Sequence, residues 1–179
     1  MEEVEVKFKV DDFTPIRQQL IKLGAKKIGQ AIQKTTLFDF PDGSLRRQDK
    51  TLRLRTGFKN ELTFKHKKSR TARFKSSQEM ETEIKDPDKV AEIFHHLGLK
   101  PSLIFEKTRQ SWQLDGVKIE LDELPFAKYV ELEGAPQKSR SLAPKLGLDF
   151  NQGVSISYPK LFREWYLKQG IKPASPTPK

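Results

Sequence analysis

Charged and apolar residues alternate along several short segments of the chain, a pattern typical of a β-strand with one polar and one apolar face. The first case is Glu3-Val4-Glu5-Val6-Lys7. The same alternation recurs at five further places: Arg53-Leu54-Arg55, Glu81-Thr82-Glu83, Lys107-Thr108-Arg109, Glu120-Leu121-Asp122 and Glu131-Leu132-Glu133. The repetition predicts a sheet in which one face carries many of the ionisable side chains.

Two segments between these strands have apolar residues at helical spacing and begin in the same way. Thr14-Pro15 begins the first predicted helix and Gly24 ends it, while Asp86-Pro87 begins the second and Gly98 ends it. Each helix follows a charged strand and precedes a group of further strands. This repetition indicates a two-fold duplicated architecture.

The other turn-forming residues of the chain set the bounds of the remaining predicted strands and helices. Strands are expected at about 2–10, 34–40, 51–57, 61–67, from 79 onward, 103–114, 117–123 and 128–134, with shorter helices near 139–147 and 158–169. Residues 66–78 show no apolar period and predict a mobile basic loop. Residues 1–170 are expected to form one domain, and 171–179, with three prolines, a disordered tail.

The apolar residues of the charged strands need a cover, and the helices can supply it on one side only. We therefore expect an α+β fold in which a closed or nearly closed eight-stranded antiparallel β-barrel has its helices packed outside and its charged face inside, as a tunnel. The alternative is an open sheet whose charged face is in water.

Composition and charge narrow the function. The net charge is +10, and the excess lies in residues 46–75, which hold twelve Lys and Arg against two acids. Such a concentration attracts phosphates or nucleic acid. The chain has no Cys, and its three His do not have zinc-binding spacing, so any metal is expected to have oxygen ligands. With no apolar run that could span a membrane, we expect a cytoplasmic protein.

The predicted inner face combines two kinds of group. It holds eight carboxylates, which suit Mg²⁺ or Mn²⁺, and six cations, which suit an anion with several oxygens. The carboxylates are Glu3, Glu5, Glu81, Glu83, Glu120, Asp122, Glu131 and Glu133. The cations are Lys7, Arg53, Arg55, Lys65, Lys107 and Arg109. Together they describe a site for a metal-complexed polyphosphate.

The ordered set of these motifs resembles the CYTH family, the triphosphate tunnel metalloenzymes, which include class IV adenylyl cyclases and thiamine triphosphatases. The resemblance covers about residues 2–167. It rests on Glu3-x-Glu5-x-Lys7, on the four pairs that begin at Arg53, Glu81, Lys107 and Glu131, and on Leu62-x-Phe64-Lys65, Leu121-Asp122-Glu123 and Ser157-Tyr158.

The resemblance implies roles for individual residues. Carboxylates would bind the metal, which by family likeness means Glu3, Glu5, Asp122, Glu131 and Glu133, with Glu120 added from the inner face. The six cations would hold the triphosphate, with Arg73 as an additional ligand. Lys7, Glu81 and Glu83 would act in catalysis by orienting water or a second metal. A homodimer is a reasonable expectation from the same resemblance.

Three functions compete on the sequence alone. We favour hydrolysis of inorganic triphosphate, ATP or thiamine triphosphate, because this reaction needs only the tunnel. Conversion of ATP to cyclic AMP and pyrophosphate needs the same cations but also a base and a ribose pocket. A nucleic-acid-binding barrel would need aromatic residues interleaved with the basic ones for stacking, and it leaves the carboxylates unexplained. His95 and His96 are interpreted as surface residues, and Trp112 and Trp165 as packing residues. Tyr158 fits a packing role as well as a site role, and all five are left out of the predicted site.

Overall fold

The computed structural model describes residues 2–70 and 74–174. Its strands are β1 (Glu2–Val10), β2 (Lys26–Asp39), β3 (Thr51–Thr56), β4 (Glu61–Arg70), β5 (Lys75–Glu83), β6 (Lys100–Leu114), β7 (Val117–Leu124) and β8 (Ala127–Glu133). Its helices are α1 (Thr14–Lys22), α2 (Ser44–Arg47), α3 (Pro87–His96), α4 (Pro136–Lys145) and α5 (Tyr158–Lys168), with a 3₁₀ turn at Phe150–Gln152. Within the described residues, none of the helices has the length and apolar character needed to cross a membrane.

The eight strands form one antiparallel sheet in the order β1-β5-β4-β3-β2-β6-β7-β8. β1 pairs with β5 through its first residues and with β8 through its later ones. The predicted α+β class with eight antiparallel strands is confirmed. Replacing each strand by the one four places away reproduces the same neighbours, for example β1–β5 and β2–β6. The pairing thus supports the duplication that the repeated strand-helix pattern indicates.

The register places the predicted charged residues on one face, because residues directly opposite each other in antiparallel strands point the same way. Lys7 lies opposite Glu131, and Arg109 lies opposite Asp122. Alternate residues such as Val6 and Leu132 form the other face.

Three helices cover the apolar face, as predicted. Between them, α1 and α4 pack on the largest cluster and α3 on a smaller one beside it. In α1 the buried residues are Ile16 and Leu20, and in α4 they include Leu142. These contacts bury the helices' apolar stripes and leave the opposite face of the sheet to the ionisable groups.

Helix α5 differs from the prediction that all helices pack outside. Its Phe162 stacks on Phe105 with 4.3 Å between ring centroids, and Phe105 lies two residues before Lys107 on the charged face of β6. Leu37, Leu103, Leu124 and Tyr129 complete this buried cluster. One end of the charged face is therefore apolar, and α5 packs against it.

The prediction of a mobile loop at 66–78 is wrong for the described part of that segment. β4 continues to Arg70 and β5 begins at Lys75, and the two strands pair with each other. Backbone hydrogen bonds to neighbouring strands stabilise this segment although its side chains lack an apolar period. Residues 71–73 lie outside the described residues.

The beginning of the predicted tail contacts the sheet. The Ile104 amide donates to the Pro173 carbonyl at 2.9 Å, and the Ile171 amide donates to the Tyr166 carbonyl at 2.9 Å. Residues 175–179 lie outside the described residues.

Candidate functional site

The charged face lines a cavity of about 800 Å³. All six cations predicted for the inner face line it: Lys7, Arg53, Arg55, Lys65, Lys107 and Arg109. They come from four strands, and β1, β3, β4 and β6 each project at least one of them because they have the same charged-apolar alternation. Of the predicted carboxylates, Glu5, Glu81, Glu131 and Glu133 also line the cavity.

Lys7 lies at the deepest part of this charge network, with 2% of its surface exposed. Its Nζ is 2.8 Å from Glu5 Oε1 and 3.1 Å from Glu131 Oε2. Burial alone would lower the pKa of Lys7, but the charges of Glu131 and Glu5 outweigh it and raise the pKa above its ordinary value. Lys7 is therefore a permanent positive charge shared between two strands.

Asp122 holds the second part of the network together. It accepts hydrogen bonds from Arg109 Nε at 2.7 Å and Nη2 at 2.6 Å, from Lys107 Nζ at 3.0 Å and from Tyr158 Oη at 2.5 Å. Burial would raise the pKa of Asp122, but Arg109 and Lys107 lower it below the ordinary value. With four donors on two oxygens, this fully buried carboxylate fixes the positions of its neighbours.

Glu120 lies two residues before Asp122 on β7 and points to the same side of the sheet. Ser111 Oγ donates to its Oε2 at 2.5 Å, and Lys118 Nζ lies 3.1 Å from its Oε1. The side chain is completely buried. Glu120 and Asp122 are thus beneath the cavity surface rather than among its lining residues.

Lys107 differs from Lys7 because its pKa is lowered, not raised. Burial and the adjacent charge of Arg109 lower its pKa to about 7, although Asp122 and Glu131 act in the opposite direction. Its Nζ also lies 4.2 Å from the centre of the Tyr158 ring. Near neutral pH this lysine can therefore change its charge when an anion approaches.

The cations of β3 and β4 contact a separate set of acceptors. Arg55 donates to Glu61 Oε2 from Nε at 2.8 Å and from Nη2 at 2.5 Å. Arg53 Nη2 donates to Thr63 Oγ1 at 2.9 Å and to Glu81 Oε2 at 3.3 Å. These arginines keep 13% and 16% of their side chains exposed, so an anion in the cavity can reach them.

Two carboxylates that sequence reasoning missed belong to this region. Glu79 pairs with Lys65, and Glu61 pairs with Arg55. Both follow the same two-residue spacing as the predicted groups, since Glu79 precedes Glu81 and Glu61 precedes Thr63 and Lys65. Extending the alternation by two residues, from Glu81 back to the start of the predicted strand, would have found Glu79.

Tyr158 is also part of the site, although the sequence-based prediction left it out. Its hydroxyl donates to Asp122, and its ring centre lies 4.2 Å from Lys107 Nζ and 4.9 Å from Lys7 Nζ. Pro159, Lys160 and Arg163 of α5 line the same cavity. The strand pattern carried no signal for these contacts because they come from a helix far along the chain.

Besides Glu120 and Asp122, which lie beneath its surface, the predicted Glu83 does not line the cavity. The Glu83 carboxylate is 64% exposed and lies 3.2 Å from Lys59 Nζ, at the rim of the sheet. The side chain of Glu3 and the whole of Arg73 lie outside the described residues. The placement of Glu83 contradicts a position for it beside the cations.

Comparisons with known proteins agree with this architecture. The sequence model of the CYTH domain matches residues 1–146. A protein of Methanocaldococcus jannaschii named "Putative adenylate cyclase" is 29% identical over 174 residues, which cover 94% of this chain and 98% of that protein.

Two solved structures show the same fold. The PH1819 protein of Pyrococcus horikoshii superimposes with a TM-score of 0.76 at 26% identity, covering 91% of this chain and 99% of the other. The "Putative adenylyl cyclase" of Hippeastrum, described as having a dominant triphosphatase activity, gives a TM-score of 0.69 at 18% identity, covering 94% and 96%. The family match spans most of the chain and includes all eight strands, so this chain belongs to the CYTH domain family.

Proposed function

We propose that this protein is a divalent-metal-dependent enzyme that hydrolyses a triphosphate and releases orthophosphate. The observation that carries the proposal is the convergence of six Lys and Arg side chains from four strands on one cavity. A triphosphate chain offers several charged oxygens, which match this number of donors better than a single carboxylate or phosphate would.

The cations differ in how they would contact the substrate. Arg53 and Arg55 can bind phosphate oxygens bidentately by exchanging Glu81 and Glu61 for the ligand. Lys7 and Arg109 are buried and held by carboxylates, so they provide fixed charge that needs no reorganisation during the reaction. In this arrangement, positioning and charge neutralisation provide most of the rate acceleration, as in other phosphoryl transfers.

The carboxylates that line the cavity suit a hard cation such as Mg²⁺ or Mn²⁺. Glu5 lies directly opposite Glu133, and Glu131 is the next residue of β8 on the same face. Within the described residues, no three acidic or His side chains are already gathered as a metal cluster. We assign metal binding to Glu5, Glu131 and Glu133, while Asp122, whose oxygens accept four hydrogen bonds, and the buried Glu120 position the cations.

When bound, the metal would neutralise phosphate charge and lower the pKa of a coordinated water. The chain's own contribution to the nucleophile is assigned to Glu81 and Lys7. Glu81 is partly exposed to the cavity and accepts a hydrogen bond from Thr63 at 3.0 Å, so it can also accept one from the attacking water. Glu83 is left out of this assignment because its carboxylate lies at the rim.

Adenylyl cyclase activity is the second candidate, and it is supported by the size of the cavity, which has room for a nucleoside triphosphate. About 800 Å³ is within the range that holds ligands larger than a triphosphate chain. Leu37 and Phe105 also provide an apolar wall on which a nucleoside could pack. Hydrolysis is preferred because it needs only water and the charged groups, whereas cyclisation also needs a pocket that holds the ribose with its 3′-hydroxyl beside a base.

A product assay separates the two reactions. Purified protein is given inorganic triphosphate, ATP or thiamine triphosphate with Mg²⁺ or Mn²⁺, and orthophosphate is separated from cyclic AMP and pyrophosphate. We expect orthophosphate, and we expect Glu5→Gln and Arg55→Ala to lower turnover by at least about a hundredfold while the fold is kept. Glu123→Gln, on the exposed side of β7, serves as the matched control. Cyclic AMP as the main product would overturn hydrolysis, and full activity of either site variant would refute the site.

A further inference from the structure

A second group of cations lines the same cavity at the end formed by α2 and α5. Arg46 comes from α2, Lys50 from the turn after it, and Lys160 and Arg163 from α5. None of these four belongs to the charged strands. They extend the basic lining beyond the six central cations.

Arg46 and Arg163 have no salt bridge to a carboxylate among the described residues, in contrast to the central cations. Burial and the charge of Arg46 lower the pKa of Arg163, while the nearby charge of Asp39 acts in the opposite direction, so the two guanidiniums lie close enough to repel each other. Lys160, by comparison, lies 3.9 Å from Glu164, and Lys50 donates to Gln48.

The acidic groups at this end form no salt bridge with the two arginines among the described residues, and Asp39 offsets the charge of Arg163 only in part. Asp39 is buried and accepts backbone hydrogen bonds from Phe40 at 2.8 Å, Leu45 at 2.9 Å and Arg46 at 3.1 Å, which fixes the start of α2. Asp49 also lines the cavity but is exposed to solvent. The Arg46 and Arg163 side chains are thus available for an anion that enters from solution.

We propose that the α2–α5 end of the cavity is a second anion subsite, which binds the phosphates of a linear inorganic polyphosphate beyond the third. The inference rests on the proposed function, in which the central cations hold the first three phosphates. One continuous cavity connects the two groups of cations, so a single chain can contact both. A phosphate is a negatively charged partner that each guanidinium can bind bidentately. A nucleobase carries no negative charge, so it would not compensate the repulsion between the two arginines.

The test compares binding of inorganic triphosphate, tetraphosphate and a longer polyphosphate by calorimetry at one fixed free Mg²⁺ concentration. In the wild-type protein, affinity is expected to rise about tenfold from triphosphate to tetraphosphate, as for one added charge-assisted contact. Arg163→Ala and Arg46→Ala should remove this gain and change triphosphate affinity less than twofold. Lys168→Ala is the control, since it removes the same charge from an exposed position of α5 that does not line the cavity.

The outcomes separate this inference from the proposed function. If triphosphate binds but chain length has no effect, the second subsite is refuted and the central site stands. If Arg163→Ala weakens triphosphate and tetraphosphate equally, the arginine belongs to the central site and the inference is wrong. If Arg163→Ala weakens ATP selectively, this end of the cavity holds a nucleoside instead. Failure of the wild-type protein to bind any of the phosphates would overturn both proposals.

Discussion

At the scale of single residues, the site depends on carboxylates that hold cations in place rather than on cations alone. Lys7, Arg109 and Lys107 are all buried, and each is paired with Glu131, Asp122 or both. Desolvating a charge is costly unless a partner compensates it. Asp122 and Glu131 are therefore required for stability before they are required for any reaction.

Asp122→Asn is expected to destabilise the protein strongly. The substitution leaves the shape of the side chain but removes the charge opposite two buried cations, and removal of one partner from a buried ion pair costs about 3–5 kcal/mol. Urea unfolding followed by circular dichroism measures the change in the free energy of unfolding. Glu123→Gln, the exposed neighbour on β7, should change it by less than about 0.5 kcal/mol. Equal effects of the two substitutions would contradict the supporting role of Asp122.

Lys107 should make triphosphate binding dependent on pH. Its pKa of about 7 in the free protein means that it loses its proton as the pH rises through neutrality. Because an anion favours the charged form, the affinity of the wild-type protein should fall relative to Lys107→Arg between pH 6 and pH 8. Taking the ratio of the two dissociation constants at each pH cancels the ionisation of the ligand itself. A ratio that stays constant over this range would show that Lys107 does not titrate there.

At the scale of elements, the alternation of charge and hydrophobe was sufficient to predict most of the strands and the shared face of the central cations. It failed for the end of β4 and the start of β5 near Lys75. There β5 pairs with both β1 and β4, and backbone hydrogen bonds to two neighbouring strands can hold a strand without an alternation of apolar side chains. It failed also for α5. The apolar stripe of a helix shows that the helix is covered, but not which face of a sheet covers it.

Phe162 tests the packing of α5 on the inner face. The residue is fully buried against Phe105, Phe126 and Tyr166. Phe162→Ala should cost about 3–5 kcal/mol of stability, as expected for deletion of a buried aromatic ring. Because Trp165 stacks on Phe126 beside it, the fluorescence of that tryptophan should also change.

Leu167→Ala, on the same helix, provides the comparison. Leu167 is 72% exposed, so its truncation should leave the unfolding midpoint nearly unchanged. If both substitutions have small effects, α5 does not close this end of the sheet in solution.

At the scale of the whole molecule, the Lys and Arg side chains that give the protein its positive charge lie in two different places. The cavity has eleven Lys and Arg against eight acids among its described lining residues, while other basic side chains lie on the outer surface. The six central cations are enclosed: Lys7, for example, exposes 2% of its side chain and Arg55 13%. A small anion can enter, whereas the backbone of a nucleic acid cannot follow the interior of the sheet. Net charge alone does not distinguish these two surfaces.

This difference predicts that RNA and triphosphate do not compete. A single-stranded RNA of about 20 nucleotides with a 5′-hydroxyl should bind weakly through the outer surface, and its affinity should fall steeply between 50 and 200 mM salt because counterions are released from the phosphates. Saturating RNA should leave the dissociation constant of inorganic triphosphate unchanged within twofold, and Glu5→Gln should not affect RNA binding. Stoichiometric displacement of triphosphate by this RNA, measured by calorimetry at constant salt, would place nucleic acid in the cavity. The nucleic-acid function that we set aside would then replace triphosphate hydrolysis as the better account of the charged face.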